Sequence, residues 1–301
     1  LNVLNSLGVV AKSRSRFAEA ARHYDDALAL ARRIGDRSGE AMLLNNLGSA
    51  CLAAGRFHEA ALHCEQAVRM FAEAGEAVMH GLALTNCAEA RREAGRPLLA
   101  LQLSAQALDR VRSGGSRGGE ALVLENLALA EAAVERPDDA QAHLLAAIEL
   151  ARAMAAPARE ASALLNLGRL HLDRGDGTAA GAALDQVDKL ALRLCDPSLD
   201  TGLQAAHARL RVLQGSPAEA AQSLQPLLDT LLVAPDPDLP APSLDLYASA
   251  LHVLQAAGDA RAAALRQRAR QVLAERAAHF PDAAAQRNFL AMAPHRAIQA
   301  D

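Results

Sequence analysis

The sequence predicts an all-α fold: a right-handed superhelical solenoid of antiparallel helix hairpins, in about seven repeats. Three observations predict it. The chain resembles itself every 40 residues, each half of that period carries apolar residues at helical spacing, and breakers separate the halves. Composition agrees, because 51% of the residues are apolar while five Phe, two Tyr and no Trp leave Ala and Leu to fill the interior. Such an interior favours closely packed helices over a sheet of β-branched and aromatic residues.

In the first helix of each row, column 4 reads Leu4, Leu44, Leu84, Leu124 and Leu164. Column 7 reads Leu7, Leu47, Cys87, Leu127 and Leu167, and column 8 is always small: Gly8, Gly48, Ala88, Ala128, Gly168 and Ala208. A breaker follows, "AAGRF" in row two and "EAGRP" in row three. In the second helix, column 20 is Ala in every row, and column 27 is Ala in four rows before becoming Val187 and Leu227. Pro97, Pro137 and Pro217 open second helices at a position where a missing N–H is harmless. Asp196-Pro197 and Asp236-Pro237 are N-cap and N1 pairs opening first helices of about 18 residues.

The rows define six repeats, 1–40, 41–80, 81–120, 121–160, 161–200 and 201–240, then a degenerate seventh at 241–280 and a capping tail at 281–301. Regularity fades along the chain. Gly177 and Gly181 weaken the second helix of row five, and Pro226 should kink or split that of row six. The Pro-rich junction Ala234 to Ser243 predicts a bend or protease-sensitive linker. Row seven recovers phase by sliding three residues, with Gly258 at its turn. Phe289, Leu290, Met292 and Ile298 of the tail are expected to lie against the last hairpin as a closing helix.

The small residue at column 8, the Ala at columns 20 and 27 and the turn "GRFHEA" (Gly55 to Ala60) resemble the tetratricopeptide repeat family. The period exceeds the family's usual unit of about 34 residues, and longer units of this kind are similar to those of kinesin light chains and of bacterial signalling regulators. The tail segment "RNFLAMAPHR" resembles the C-terminal ends of multidomain bacterial regulators, where an ATPase or DNA-binding module precedes the repeats. The chain opens at Leu1 inside a helical pattern and is read as a piece of something longer. Basic residues are almost all Arg, with Lys12 and Lys189 the only lysines, which suggests a GC-rich bacterial source.

Several chemistries find little support. The net charge of −4 with mixed signs, and few aromatics to stack on bases, argue against direct nucleic-acid binding. No signal peptide or bilayer-length apolar run is visible, so no membrane partner is expected and the cytoplasm is the expected address. The glycine-rich "SGGSRGGE" (Ser113 to Glu120) lacks the Lys-Ser/Thr of a phosphate loop and reads as a flexible linker. His58 and His63 point roughly 140° apart on a helix and cannot share a metal. His23, His63 and His143 recur in one column as partly exposed helix residues, and Cys51, Cys64 and Cys87 fall in core columns as small buried hydrophobes. No cofactor, metal or catalytic residue is predicted, and the chain is expected not to be an enzyme.

The segment "LLNNLG" (Leu43 to Gly48) places two amides in an otherwise buried helix. Column 6 holds Ser6, Asn46, Asn86, Asn126 and Asn166, expected to bond a neighbouring helix and so satisfy their own amides. Column 5, with columns 2, 9, 12 and 13, should face the concave groove. Asn5, Asn45, Ser49, Thr85, Glu89, Arg92, Glu125, Arg169 and Arg209 are therefore the candidate partner-binding residues, over a floor made partly apolar by Leu52, Leu129 and Leu165. An amide both donates and accepts, which suits an extended peptide backbone. The expected partner is a protein or peptide, including other domains of the same polypeptide. The expected role is an interaction scaffold forming the C-terminal arm of a larger bacterial regulator, or alternatively its ligand-sensing domain.

Overall fold

The computed structural model describes residues 1–14, 16–233 and 242–300, and among them every regular element is an α-helix. In chain order these are α1 (Asn2–Ser13), α2 (Phe17–Ile34), α3 (Arg37–Ala53), α4 (Phe57–Ala74), α5 (Ala77–Glu93), α6 (Pro97–Ser113), α7 (Arg117–Ala133), α8 (Pro137–Ala153) and α9 (Pro157–Asp173). There follow α10 (Gly177–Leu194), α11 (Pro197–Leu213), α12 (Pro217–Ser223), α13 (Gln225–Leu232), α14 (Leu244–Ala256), α15 (Arg261–Ala277), α16 (Ala283–Leu290) and α17 (Ala293–Gln299). They form two compact units. The first holds Leu1–Val134 and His279–Phe289, and the second holds most of Glu135–Ala278 with Leu290 onwards.

Turns fall at a fixed interval. Gly35, Gly55, Gly75, Gly95 and Gly115 all have positive φ, and the series continues through Glu135, Ala155, Gly175, Cys195 and Gly215, one left-handed residue every 20 positions. Each ends a helix, and at Gly35, Gly55, Gly75, Gly95, Gly115, Ala155, Gly175 and Gly215 the N–H of the following residue reaches back to a carbonyl five positions earlier, as in Arg56 to Cys51 at 2.9 Å and Asp36 to Ala31 at 3.0 Å. Hairpin turn and inter-repeat turn are thus built alike. The next left-handed glycine, Gly258, comes 43 residues after Gly215 (258 − 215), which is the three-residue slide of row seven.

Caps start the helices where the sequence places them. Asp36, Ser116, Asp176, Asp196 and Ser243 accept from the N–H three residues on, at 2.8 to 3.4 Å. "SGGSRGGE" is therefore ordered: Ser116 caps α7, and Gly118 and Gly119 lie in its first turn. Asp236-Pro237, and the expected bend at Ala234 to Ala241, lie outside the described residues. Pro226 splits the sixth second helix into α12 and α13 at Leu224, where the carbonyls of Ala221 and Ser223 are captured by Arg261 (3.0 Å) and Gln204 (2.7 Å). Exposed Arg–Glu pairs straddle three inter-repeat turns, Arg32–Glu40, Arg112–Glu120 and Arg152–Glu160, at 2.6 to 2.8 Å.

In the first unit, α1 pairs with α2, α3 with α4 and α5 with α6; in the second, α9 pairs with α10, α11 with α12 and α14 with α15. Column 20 sits where the helices of a hairpin approach: Ala20, Ala60, Ala100, Ala140, Ala180 and Ala220 have at most 1% exposure. Column 8 faces column 24 across the hairpin. A Cβ on Gly8 would lie 2.4 Å from the Tyr24 ring, one on Gly48 would lie 2.2 Å from Cys64 Sγ, and one on Gly168 would lie 2.8 Å from Leu184.

The tail departs from the expected closing helix. Phe289, fully buried in the first unit, packs on Phe280 at 5.0 Å and on Phe57 at 6.1 Å between ring centroids. Gly95 makes room for the adjoining backbone: a Cβ there would lie 2.2 Å from the Asn288 carbonyl oxygen. In the second unit α17 does pack on α14 and α15, burying Ile298, while Arg270 donates to the carbonyls of Ile298, Gln299 and Ala300. Among the described residues, no helix is long and apolar enough to cross a membrane.

Substituting Gly48→Ala drives a methyl into the Cys64 sulfur and the nearby Ala60 carbonyl. The expected loss is about 1–3 kcal/mol, read as a lower denaturation midpoint, with Cys64→Ala in the same chain recovering most of it. An unchanged midpoint in the single variant contradicts the close approach.

Candidate functional site

Stacking first helices side by side puts columns 5, 6 and 9 of consecutive repeats next to one another. In the first unit this creates an amide ladder. Asn46 Nδ2 donates to Asn5 Oδ1, and Asn86 Nδ2 donates to Asn45 Oδ1, both at 2.9 Å. Column 6 thus clips the second and third first helices to column 5 of the one before, and among the described residues the amide N–H groups of Asn5 and Asn45 have no acceptor.

The ladder stops at Thr85. This residue was expected to line the groove, but it is buried, and its hydroxyl donates to the Gly81 carbonyl of its own helix at 2.9 Å. A threonine is too short to meet the next amide, so Asn126 turns back to the Leu122 carbonyl at 3.1 Å. Glu125 is likewise buried and acts through its charge on Glu89.

Lys12, which the sequence reading passed over, joins this unit's polar cluster by donating to Ser49 Oγ. Burial pulls the Lys12 ammonium below its ordinary value, with Glu89 opposing. Burial pushes the Glu89 carboxyl up; Arg92 and Lys12 draw it down, and Glu93 and Glu125 add to the rise. Arg92 itself pairs with Glu93 at 2.8 Å.

In the second unit the same columns enclose a cavity of about 330 Å³. Columns 5 and 6, which hold the paired amides Asn5, Asn46, Asn45 and Asn86 in the first unit, here supply Ala205, Ala206, Ala248 and Ser249. Column 9 supplies Arg169, Arg209 and His252, so both predicted arginines come together. Arg209 donates to Asp173 at 2.7 Å. Arg169 lies over Gly202, where a Cβ would come within 2.8 Å of its Nη2 and 3.0 Å of Leu165. Burial lowers the Arg169 guanidinium, which stays charged, while Asp245 supports the charge, Arg209 opposes it and Asp173 supports it. Burial and then Arg209 pull His252 down, leaving it neutral near pH 7. No hydrogen bond joins Ser249, His252 and Asp245, so the cavity offers charge and hydrogen bonds without an aligned nucleophile and base.

The cysteines are placed as packing groups. Cys51, Cys64 and Cys87 are buried, and burial pushes the Cys51 and Cys87 thiols up to about 11 and Cys64 higher still. Among the described residues, no three His, Cys, Asp or Glu side chains are grouped to hold a metal.

Residues 1–73 match the tetratricopeptide repeat family. The chain has the tetratricopeptide-repeat fold. Solved structures extend the likeness past the matched residues. A Rap protein complexed with competence and sporulation factor is 16% identical with a TM-score of 0.74, covering 92% of this chain and 76% of its own. The Rap conjugation gene regulator of plasmid pLS20, in complex with the Phr* peptide, is 14% identical with a TM-score of 0.70, covering 91% of this chain and 73% of its own. A signal transduction ATPase with a tetratricopeptide repeat sensor from Pyrococcus horikoshii is 12% identical with a TM-score of 0.59, covering 89% of this chain and 41% of its own. At such identities the likeness is one of fold. No curated protein sequence matches the chain significantly.

Within these tetratricopeptide repeats, two substitutions probe the polar columns. Asn45→Ala leaves the Asn86 amide without its acceptor and is expected to lose about 0.5–1.5 kcal/mol of stability, whereas Asn45→Asp keeps an acceptor and loses less, both read by chemical denaturation. Glu89 has a folded-state value above its unfolded one, so its contribution is fully present below the unfolded value and is lost as pH rises through the folded one. Glu89→Gln is therefore expected to raise the denaturation midpoint at pH 7 and to converge with the parent near pH 4; equal midpoints at pH 7 contradict the assignment.

Proposed function

We propose that this chain is a noncatalytic tetratricopeptide-repeat scaffold that holds an extended peptide or a partner's helix along its first-helix columns. The observation that carries the reading is the change in columns 5 and 6. Amides that clip neighbouring helices in the first unit give way to Ala205, Ala206 and Ala248 in the second, opening a cavity beneath charged column 9 side chains. A small apolar floor with convergent polar groups is the composition of a ligand site. The unused N–H groups of Asn5 and Asn45 would serve peptide carbonyls in the same way. Two of the similar structures were solved with a bound factor or peptide, which supports a peptide-sized occupant.

We further infer that the scaffold works as the C-terminal arm of a larger bacterial regulator in the cytoplasm, its occupant being a separate peptide or another domain of the same polypeptide. The fold likeness to a much longer ATPase that carries such repeats as its sensor supports this setting.

Panning the chain against a random hexapeptide library, and measuring recovered peptides by fluorescence anisotropy, tests the binding role. Ala248→Trp fills the cavity and is expected to weaken recovered peptides at least about tenfold without lowering the melting temperature. Recovery of no peptide, or peptides indifferent to Ala248→Trp, removes the cavity as the binding site.

A further inference from the structure

We infer that the outward face of α1, carried by Val3, Leu7 and Val10, is an interaction surface for a helix of α2's kind, supplied by residues of the same polypeptide that precede Leu1. The inference makes no use of the peptide cavity and stands or falls separately from it.

Val3, Leu7 and Val10 recur at i, i+4 and i+7, one stripe of a helix, and are 73%, 44% and 46% exposed. They fill columns 3, 7 and 10. In the next three rows of the first unit the residues of those columns are at most 5% exposed, beginning with Leu43, Leu47 and Ala50. In each of those rows the first helix packs on the helix immediately before it in the chain: α3 on α2, α5 on α4 and α7 on α6. Ala20, Ala27, Leu28 and Ala31 of α2 share one buried cluster with Leu43, Leu47 and Ala50 of α3. On α1, α2 takes a different stripe, that of Gly8 and Ala11. Columns 3, 7 and 10 of α1 are thus one half of an interface that the first unit builds three more times.

The chemistry of the stripe chooses its occupant. The one charged residue of α1 is Lys12, which is turned to Ser49 and Glu89, and the exposed Asn2, Ser6 and Ser13 rim the stripe. Single apolar residues on a surface are ordinary, whereas a contiguous uncharged stripe with a polar rim marks a contact. A stripe left to solvent looks different in this chain: α15 presents Gln267, Arg270 and Gln271. Without charge the face favours neither an acidic nor a basic partner, and recognition rests on the close approach that an alanine-striped helix allows. Three side chains on one short helix offer far less than the roughly 1,200 Å² of a stable interface between separate proteins. A helix joined through the chain avoids the entropy lost on association, so the same polypeptide is the source that so small a face can hold.

The test extends the full chain at Leu1 with a copy of residues 17–40, which keeps the 40-residue phase and supplies an α2-like helix with its turn. The melting temperature of the extended chain is expected to exceed the parent's by at least about 2 °C. Val3→Gln with Leu7→Gln should remove that gain and leave the parent's melting temperature unchanged, because both side chains are exposed there. An extension carrying Ala20→Glu, Ala27→Glu and Ala31→Glu in the copy should give no gain, which separates packing from added length. Absence of a gain with the unaltered extension, or a gain that survives the paired Gln variant, overturns the assignment. Sedimentation of the parent is expected to show a monomer. A dimer that Val3→Gln with Leu7→Gln dissolves gives the face to a second copy and overturns the assignment too.

Discussion

The fold depends on how closely the two helices of a hairpin can approach. At Gly8, Gly48 and Gly168 no room exists for even a methyl group, because Tyr24, Cys64 or Leu184 of the second helix already fills it. The size of the column 24 residue ranges from serine to tyrosine, yet the column 8 partner stays small, so the backbone separation is held while the filling varies. Close packing of this kind leaves little slack. Column 20 then has to be alanine, and all six copies are shielded from solvent. With each hairpin rigid, a left-handed residue every 20 positions repeats the same reversal, and consecutive first helices meet in the same register.

That register decides what the polar columns can do. Asn46 meets Asn5 and Asn86 meets Asn45 because identical columns of adjacent repeats lie side by side. One short side chain, Thr85, is enough to end the series and turn Asn126 onto its own helix. The same neighbourhood that aligns amides also gathers charge. Lys12, Glu89 and Arg92 bear on one another in the first unit, and Arg169, Arg209 and His252 share a column in the second. The displaced titration of Lys12, Glu89, Arg169 and His252 follows first from burial beside a packed helix wall, and then from the neighbouring charges.

Features that repeat locally were legible in the sequence: the 40-residue period, the small residues of columns 8 and 20, the caps and the break before Pro226. Arg169 and Arg209 were also legible, because their columns follow directly from helical geometry. Glu135, Ala155 and Cys195 were not, since they take a glycine's left-handed conformation without a glycine's signature. Thr85 was misplaced because periodicity assigns a face and ignores side-chain length; column 5 lies on the border between wall and groove, where a short hydroxyl finds its own backbone first. Lys12 was passed over although its column was among those assigned to the groove. Phe289 was hidden for a different reason: its aromatic partner Phe57 lies in another repeat, 232 residues earlier (289 − 57), and no periodicity encodes that contact.

Packing leaves few positions free to vary. Columns 4, 7, 8, 20 and 24 are held by the approach of the helices, so the first-helix columns left to vary are 2, 5, 6, 9, 12 and 13. A net hydrogen bond is worth only about 0.5–1.5 kcal/mol, so replacing amides with Ala205, Ala206 and Ala248 exchanges a modest clip for usable volume without disturbing the hairpins. A cavity in such an array can therefore arise by removal as well as by addition: alanines clear the space, and Gly202 lets the Arg169 guanidinium lie close against its backbone.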